Sequence, residues 1–450
     1  MTTPLSPRMQ LILHGSIPRL LIKLATPNVA VVVTSAAMTL MDVYFVGRLG
    51  TTALASLAVV YPFQALIQMM SGGAIGGGVA SAISRALGAG DVANAESRAW
   101  HAMVIAAVGS VLYMIVLGVF PRPIFALIIG PGEVLDGAVN YAHIYFGGAS
   151  LIWFAFMFQA TLRGTGEMAK ASTPFIFANI FHIGLSGALT LGWGPFPELG
   201  ISGPAVAALV SHGLVLVYFT IGVLGGKGPI KVQPHRFSWL PIKDIMKVGG
   251  LSVVNSIGLS LTVIVVTAFI GRFGSDALAG YGLGSRLELM LIGFAFGLGG
   301  ALVTAVGGNV GAGQMRRARR IAWTGAGITL LSTAVIGLFV AIMPGLWVDR
   351  FTSDPAVHAI AVSYLRIAAP VFGLFCGGYT LYFASQGTGN MIIPVSITWV
   401  RLLVVAGIGF AAAIFDWGLD TVFVGVAVGL VVVAAGHVLN VLKGPGWRYD

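Results

Sequence analysis

Apolar runs of about 20 residues or more recur along the chain, separated by short polar connections. A helix of about 20 residues crosses the hydrocarbon core of a bilayer. The runs are too long and too continuously apolar for the alternating strands of a membrane barrel. The pattern therefore predicts an all-α integral membrane protein with twelve transmembrane helices, near residues 20–46, 53–83, 99–120, 137–160, 171–191, 203–225, 246–270, 277–306, 321–343, 357–384, 391–415 and 421–442.

The second half of the chain repeats the first. GRLGTTALAS at 47–56 and GRFGSDALAG at 271–280 share six of ten positions at an offset of 224, and Gly-Ala-Gly and Gly-Thr-Gly recur at an offset of 223. Because each half has an even number of spans, both enter the membrane from the same side and form parallel repeats. We predict two six-helix lobes, 1–225 and 246–450, joined by a cytoplasmic linker at 226–245.

Composition excludes a soluble protein of this size. Only 9% of the residues are charged and 57% are hydrophobic, against about 25% charged in a typical soluble domain. Of the 25 Lys and Arg, 18 lie in the tails and connections of one side. The positive-inside rule then predicts a multi-pass protein of the plasma (inner) membrane with both termini in the cytoplasm. It also explains the net charge of +10 without nucleic acid as a partner.

Several motifs identify a family. The first helix closes on Asp42-x-x-Phe-Val-Gly-Arg-Leu-Gly, the seventh on Ile-Gly-Arg-Phe-Gly, and Pro-Glu-Leu-Gly precedes helix six. With Pro27, the Gly-Ala-Gly signatures and the repeat, the chain resembles the multidrug and toxic compound extrusion (MATE) family over essentially its whole length. The resemblance implies a MATE/MOP-like fold and export of organic, often cationic, compounds by a monomer. H⁺ or Na⁺ would drive the export through rocking of the two lobes.

Within that family the chain looks closest to the proton-coupled prokaryotic branch, in which the acid of the first helix titrates. The fifth-helix pattern of the branch, Asn-x-x-x-Asp, reads His182-x-x-x-Ser186 here, so the second carboxylate is missing. The sodium-type pattern expects acids in helices seven and ten. Helix seven has Asn255 and helix ten has no acid, which makes Na⁺ the less favoured coupling ion.

The residues of the first half point independently to Asp42. A carboxylate within a span costs about 2.5–3.5 kcal/mol on insertion scales and is a functional candidate by default. We predict Asp42 as the coupling residue, Pro27 as a hinge, and His182 as either a proton relay or a neutral core histidine. Polar residues at helical spacing are expected to line a cavity or, with about equal weight, to bond neighbouring helices. These polar residues are Asn28, Ser35, Thr39, Tyr61, Gln64, Gln68, Asn179 and Ser186. We add Met38 as possible cavity lining, because a flexible methionine side chain suits an adaptable pocket.

The second half has a polar cluster of its own. Glu288 lies in a span whose neighbours carry Arg286, Arg366 and Arg401, with Asn255 in helix seven. We weigh a structural ion pair above a coupling role for Glu288. No Cys/His cluster has metal-ligand spacing, and Cys376 is the sole cysteine, so neither a metal nor another cofactor is expected.

These observations favour proton-driven export over other functions. The deprotonated Asp42 would hold a cationic substrate or a proton but not both, and protonation would let helix one bend at Pro27. No Walker motif is present, which excludes direct use of ATP. No nucleophile or acid–base pair accompanies Asp42, so we do not expect an enzyme. A flippase for lipids or lipid-linked oligosaccharides remains the alternative because of the second-half arginines, and a channel is a third possibility.

Overall fold

The computed structural model describes residues 7–224 and 229–448, and this part of the chain is helical without any strand. A short helix, α1, precedes the first long one. The helices of the first half are α1 (Pro7–His14), α2 (Ile17–Gly47), α3 (Thr51–Gln68), α4 (Gly76–Gly88), α5 (Val92–Tyr113), α6 (Pro121–Ala126), α7 (Glu133–Gly147), α8 (Ala149–Gly164), α9 (Met168–Leu191) and α10 (Gly203–Leu224). Those of the second half are α11 (Trp239–Gly271), α12 (Ser275–Gly311), α13 (Met315–Ile342), α14 (Gly345–Val348), α15 (Pro355–Ala368), α16 (Phe372–Thr388), α17 (Ile392–Ile414) and α18 (Leu419–Lys443).

The predicted membrane architecture is confirmed. In the described residues, eleven helices are long and apolar enough to cross a bilayer, or twelve if one bent pair counts as a single span. That pair is α7 and α8, which meet at 48°. The sequence predicted one span near 137–160, and within it the helix breaks at Gly147 and Gly148. The apolar pattern continues across the break, so hydropathy does not reveal it.

Two spans contain π-helical turns, which leave backbone carbonyls without their usual α-helical donors. One turn, Met69–Ile75, joins α3 to α4, and the other, Met114–Val119, extends α5. Side chains from neighbouring helices meet these carbonyls. Arg163 Nη2 donates to the Gly72 carbonyl at 2.7 Å, and His143 Nδ1 lies 2.6 Å from the Gly118 carbonyl. His143 is thereby assigned a structural role.

The chain divides into two compact units. Among the described residues, the first unit contains 7–9, 26–224 and 229–249, and the second contains 10–25 and 250–448. The changes of unit within α2 and within α11 are 224 residues apart, which is the offset of the sequence repeat. The beginning of α2 belongs to the second unit. Just before it, Asn309 Nδ2 donates to the Ile12 carbonyl at 3.1 Å and Arg317 donates to the carbonyls of Ile12 and Gly15, which fixes the end of α1 and the connection to α2 in that unit.

The segment predicted as a linker, 226–245, is partly helical. Residues 225–228 lie outside the described part, and α11 begins at Trp239, inside the predicted linker. The beginning of α11 is fixed in the first unit because Asp244 accepts hydrogen bonds from Arg85 Nη2 at 2.8 Å and Arg98 Nε at 2.9 Å. Asp244, an acid within the predicted linker, thus forms an ion-pair network with Arg85 and Arg98 at the start of a helix.

We expect substitution of Gly78 by valine to destabilise the first unit. A Cβ atom at Gly78 would lie 2.5 Å from the Ile245 carbonyl oxygen and 2.8 Å from the Gly249 nitrogen, and both of these are backbone atoms of α11. Overpacking of this kind costs about 1–3 kcal/mol. Thermal unfolding in detergent should show a lower melting temperature for Gly78→Val. Gly184→Ala, a helical glycine with nothing within 4 Å of its Cβ position, is the control. Equal melting temperatures would contradict the close packing.

Candidate functional site

Asp42 lies near the end of α2 and is hydrogen-bonded from α9. His182 Nε2 is 2.9 Å from Oδ1 and 3.0 Å from Oδ2 of Asp42, and Ser186 Oγ donates to Oδ1 at 2.5 Å. His182 and Ser186 are four residues apart, so they lie on the same face of α9. The structure thus brings together three residues that the sequence singled out.

The surroundings of His182 favour a neutral imidazole. Its side chain is 1% exposed, and its Nδ1 is buried without a hydrogen-bond partner among the described residues. A protonated imidazole donates from both nitrogens, so a proton on Nδ1 would leave a buried donor unpaired, at a cost of about 1–3 kcal/mol. The geometry therefore suits a histidine that carries its hydrogen on Nε2 and donates it to the Asp42 carboxylate.

Asp42 opens onto a cavity of about 90 Å³ within the first unit. The Asp42 side chain is 15% exposed, in contrast to the closed His182. The lining contains no Lys or Arg, so Asp42 gives the cavity its negative charge. Aromatic, amide and aliphatic groups form the rest of the wall. The lining residues are Met38, Thr39, Asp42, Val43, Leu57, Tyr61, Gln64, Ala65, Gln68, Tyr141, Tyr145, His182, Ala208 and His212.

Two tyrosines of α7 complete this wall and were missed by the sequence analysis. Gln64 Nε2 donates to the Tyr141 hydroxyl at 2.6 Å, and the rings of Tyr141 and Tyr145 stack with centroids 5.9 Å apart. Both tyrosines are buried. Their i, i+4 spacing was an available signal, since it puts two hydroxyls on one face of the helix. His212 also lies in this wall.

Four residues predicted as possible cavity lining lie outside the lining: Asn28, Ser35, Asn179 and Ser186. Ser186 contacts Asp42 instead. Asn179 Nδ2 donates to both Thr34 Oγ1 and Ser35 Oγ, each at 3.0 Å, and so joins α9 to α2. Asn28 is buried and does not line the cavity either. Ser35 and Asn179 thus bond neighbouring helices, which was the predicted alternative to lining the cavity. Met38, Thr39, Tyr61, Gln64 and Gln68 do line the cavity.

The second unit contains the polar cluster of Glu288, but with fewer members than expected. Tyr364 OH donates to Glu288 Oε2 at 2.8 Å, and Arg401 Nη2 lies 3.8 Å from Glu288 Oε1. Arg286 and Arg366 are exposed and do not join this pair. Residues i and i+2 of a helix face different sides, which explains why Arg286 turns away from Glu288.

Asn255 takes part in a separate hydrogen-bond set. Thr398 Oγ1 donates to Asn255 Oδ1 at 2.5 Å, and Asn255 Nδ2 lies 3.5 Å from the Tyr379 hydroxyl. Thr398 and Arg401 are three residues apart on α17, so the set lies beside the ion pair. No group of His, Cys, Asp and Glu in the described ranges is arranged to hold a metal ion.

The two polar sites occupy equivalent places in the repeat. Gln64 and Glu288 are 224 residues apart, and Tyr141 and Tyr364 are 223 residues apart. The hydrogen bond between Gln64 and Tyr141 in the first unit thus recurs between Glu288 and Tyr364 in the second. The repeat therefore preserves the position of a polar contact while changing its charge.

A family model described as MatE matches residues 27–186 and 252–412, which together make up more than half of the chain. The two matched segments fall one in each half of the repeat. The chain belongs to the MatE family. This membership makes the protein a multi-span membrane transporter and not an enzyme.

Two curated transport and resistance proteins and a solved structure are similar to this chain over most of their length. The FAD transporter of Shewanella oneidensis is 24% identical, with 83% of this chain and 82% of that protein covered. The probable multidrug resistance protein NorM of Thermotoga maritima is 26% identical, with 85% and 82% covered. A MOP superfamily transporter from Pyrococcus furiosus, for which a binding pocket of reversed polarity is described, superposes with a TM-score of 0.90 at 20% identity over all of both chains. The TM-score of 0.90 shows that this chain has the same fold as the Pyrococcus furiosus transporter.

Proposed function

We propose that this MatE protein exports organic cations in exchange for protons, with Asp42 as the group that binds either one. The observation that carries the proposal is a single carboxylate in a cavity without Lys or Arg. Such a cavity attracts positive charge, and its aromatic wall suits flat apolar cations. The name of the Thermotoga relative, a probable multidrug resistance protein, agrees with a range of substrates.

The exchange follows from the charge of Asp42. A bound organic cation neutralises the carboxylate, and so does a proton, so the two ligands compete for one negative charge. Desolvating an unpaired carboxylate costs several kcal/mol, so closure of the cavity is favoured only when one ligand is present. One proton then enters for each monovalent cation that leaves. A gradient of one pH unit supports about a tenfold gradient of the cation.

The cavity must open for a substrate to enter. At about 90 Å³ it is smaller than the roughly 300–1,000 Å³ of typical drug sites. Helix α2 contains Pro27, which lacks the N–H that would bond the Lys23 carbonyl and so weakens the helix there. The change of unit along α2 falls between Ala25 and Thr26, beside Pro27. We infer that α2 bends at this proline and changes the volume next to Asp42.

Proton coupling is favoured over sodium coupling by the partners of Asp42. Sodium would need several oxygen acceptors around it, as other hard cations do. The contacts to Asp42 are donors instead, from His182 Nε2 and Ser186 Oγ. These groups stabilise a bare carboxylate and occupy the oxygens that a metal ion would use.

We further propose that the protein acts as a monomer in the plasma membrane, with both termini in the cytoplasm. The excess of Lys and Arg on one side of the predicted spans supports that orientation.

Ethidium uptake into proteoliposomes tests the function and the coupling ion together. Ethidium is a permanent cation, so a pH gradient does not trap it by deprotonation. With the membrane potential clamped at zero, a lumen one pH unit more acidic than the bath should give about tenfold accumulation. A sodium gradient without a pH gradient should give none.

The rival functions predict different outcomes in the same vesicles. Accumulation driven by sodium alone would overturn proton coupling. Ethidium entry without coupled proton efflux from the lumen would indicate a channel. Equilibration of a labelled anionic lipid between leaflets, without ethidium transport, would indicate the flippase.

A further inference from the structure

His212 of α10 lies in the wall of the cavity that contains Asp42, within the first unit. Its Nδ1 is 2.8 Å from the Ala208 carbonyl oxygen, one helical turn earlier. A carbonyl oxygen can only accept a hydrogen bond, so Nδ1 carries a hydrogen. The rings of Phe156 and Phe175 pack against the imidazole, with centroids 5.9 and 6.1 Å away. These contacts fix the orientation of the ring.

The second ring nitrogen of His212, Nε2, is left for the cavity. It has no hydrogen-bond partner among the described residues, yet it is not one of the buried polar atoms that lack both a partner and access to solvent. Asp42, the acid of the lining, bonds to His182 instead. His212 is 8% exposed, and an unpaired buried charge is costly. The neutral ring is therefore favoured, and its Nε2 presents a lone pair.

A histidine with a purely structural role has different contacts in the same unit. His101 of α5 is buried, and its Nδ1 lies 2.7 Å from the Ser97 carbonyl oxygen. Its Nε2 accepts a hydrogen bond from the backbone N–H of Ser238 at 3.0 Å. Both ring nitrogens of His101 are thus used within the protein. His212 uses one, so it keeps an acceptor that the fold does not require.

Gln64 places a second neutral acceptor in the same wall. Its Nε2 donates to the Tyr141 hydroxyl at 2.6 Å, and the residue lines the cavity. The other polar atom of the amide is an oxygen, which only accepts. The cavity thus combines the negative charge of Asp42 with acceptors on Gln64 and His212. A cation that carries N–H groups matches this arrangement better than a cation without them.

We propose that His212 Nε2 accepts a hydrogen bond from an N–H group of the exported cation. The protein would then prefer protonated amines, guanidinium ions and amino-substituted aromatic cations to fully alkylated cations. This inference rests on the proposed export function, because it narrows the substrate class within the organic cations. A fully alkylated cation still neutralises Asp42, but it displaces water from His212 without replacing the hydrogen bond, and a buried acceptor left unpaired weakens binding about tenfold.

Three rhodamine cations with the same ring system isolate the N–H groups. Rhodamine 123 has two primary amino groups, and tetramethylrhodamine methyl ester has methyl groups in place of their four hydrogens. Rhodamine 6G is larger than either dye but keeps one N–H on each nitrogen. Uptake into proteoliposomes with an acidic lumen, less that into protein-free vesicles, should show about tenfold higher kcat/KM for rhodamine 123 and rhodamine 6G than for the tetramethyl dye. Discrimination by size would place rhodamine 6G last.

Substitutions of His212 separate the hydrogen bond from packing. His212→Phe keeps a ring against Phe156 and Phe175 but has no acceptor. It should lower kcat/KM for the two N–H dyes about tenfold and leave the tetramethyl dye within twofold. His212→Gln restores an acceptor and should keep most of the preference. His14→Phe, at the exposed end of α1, is the control. If His212→Phe fails to fold, His212→Leu removes the acceptor with a smaller side chain.

The outcomes separate this inference from the proposed function. If wild type transports none of the three dyes, the export function fails and this inference fails with it. If wild type transports all three with similar kcat/KM, the preference for N–H groups is refuted while the export function stands. A purely structural His212 predicts an equal change for all three dyes in His212→Phe, and that result would also refute the hydrogen bond.

Discussion

Replacement of Asp42 by asparagine is expected to abolish proton-driven uptake of ethidium. The amide keeps the size of the side chain and can still accept from Ser186, which donates to Oδ1 at 2.5 Å. It cannot take up a proton or balance a cation. Under a gradient of one pH unit, the accumulation ratio should therefore fall from about ten to about one. The measurement is steady-state dye fluorescence in proteoliposomes.

Asp136→Asn is the matched control for this variant. Asp136 is an exposed acid of the first unit that pairs with Arg122 at 2.5 Å, and surface pairs of this kind contribute about 0–1 kcal/mol. It should retain wild-type uptake. Full accumulation in Asp42→Asn would show that another group carries the proton, and the exchange scheme would be wrong. The melting temperature of each variant separates loss of coupling from loss of folding.

The fold could be predicted because a lipid bilayer permits few kinds of backbone structure. A chain with 57% hydrophobic residues must satisfy its backbone hydrogen bonds within each span, which allows helices. Hydropathy does not report local backbone geometry. The π-helical turn Met69–Ile75 and the bend at Gly147 lie within apolar runs. Each contains two adjacent glycines, which permit a kink but do not interrupt the hydropathy of the run.

The site residues could be predicted where burying a charge in the membrane costs free energy. They could not be predicted where packing between helices determines which way a side chain faces. Asp42 stands out because a membrane-embedded carboxylate is rare, and helical spacing then identifies His182 and Ser186 on one face of α9. Helical spacing alone could not decide whether the Asn179 side chain lines the cavity or bonds to Ser35. It also left three arginines as candidates for Glu288, of which the structure brings one, Arg401, to 3.8 Å. Which face of a span meets a given neighbour depends on the tertiary arrangement.

The role of His182 separates into two testable alternatives. The neutral donor suggested by its buried Nδ1 needs only an N–H near Asp42, whereas a relay needs a group that gains and loses protons. Glutamine carries an amide nitrogen about as far from its backbone as the Nε2 of histidine. His182→Gln therefore keeps an N–H donor near Asp42 and removes a side chain that can gain and lose a proton.

We expect His182→Gln to retain at least half of the wild-type uptake, with an unchanged pH profile. His182→Ala should lose about tenfold or more, because a hydrogen bond to a charged group contributes about 1.5–3 kcal/mol. His358→Gln, which removes an exposed histidine paired with Asp349 at 2.8 Å, should behave as wild type. If the glutamine variant folds but is as inactive as the alanine variant, the imidazole itself carries the proton. Asp42 would then act as its counter-ion.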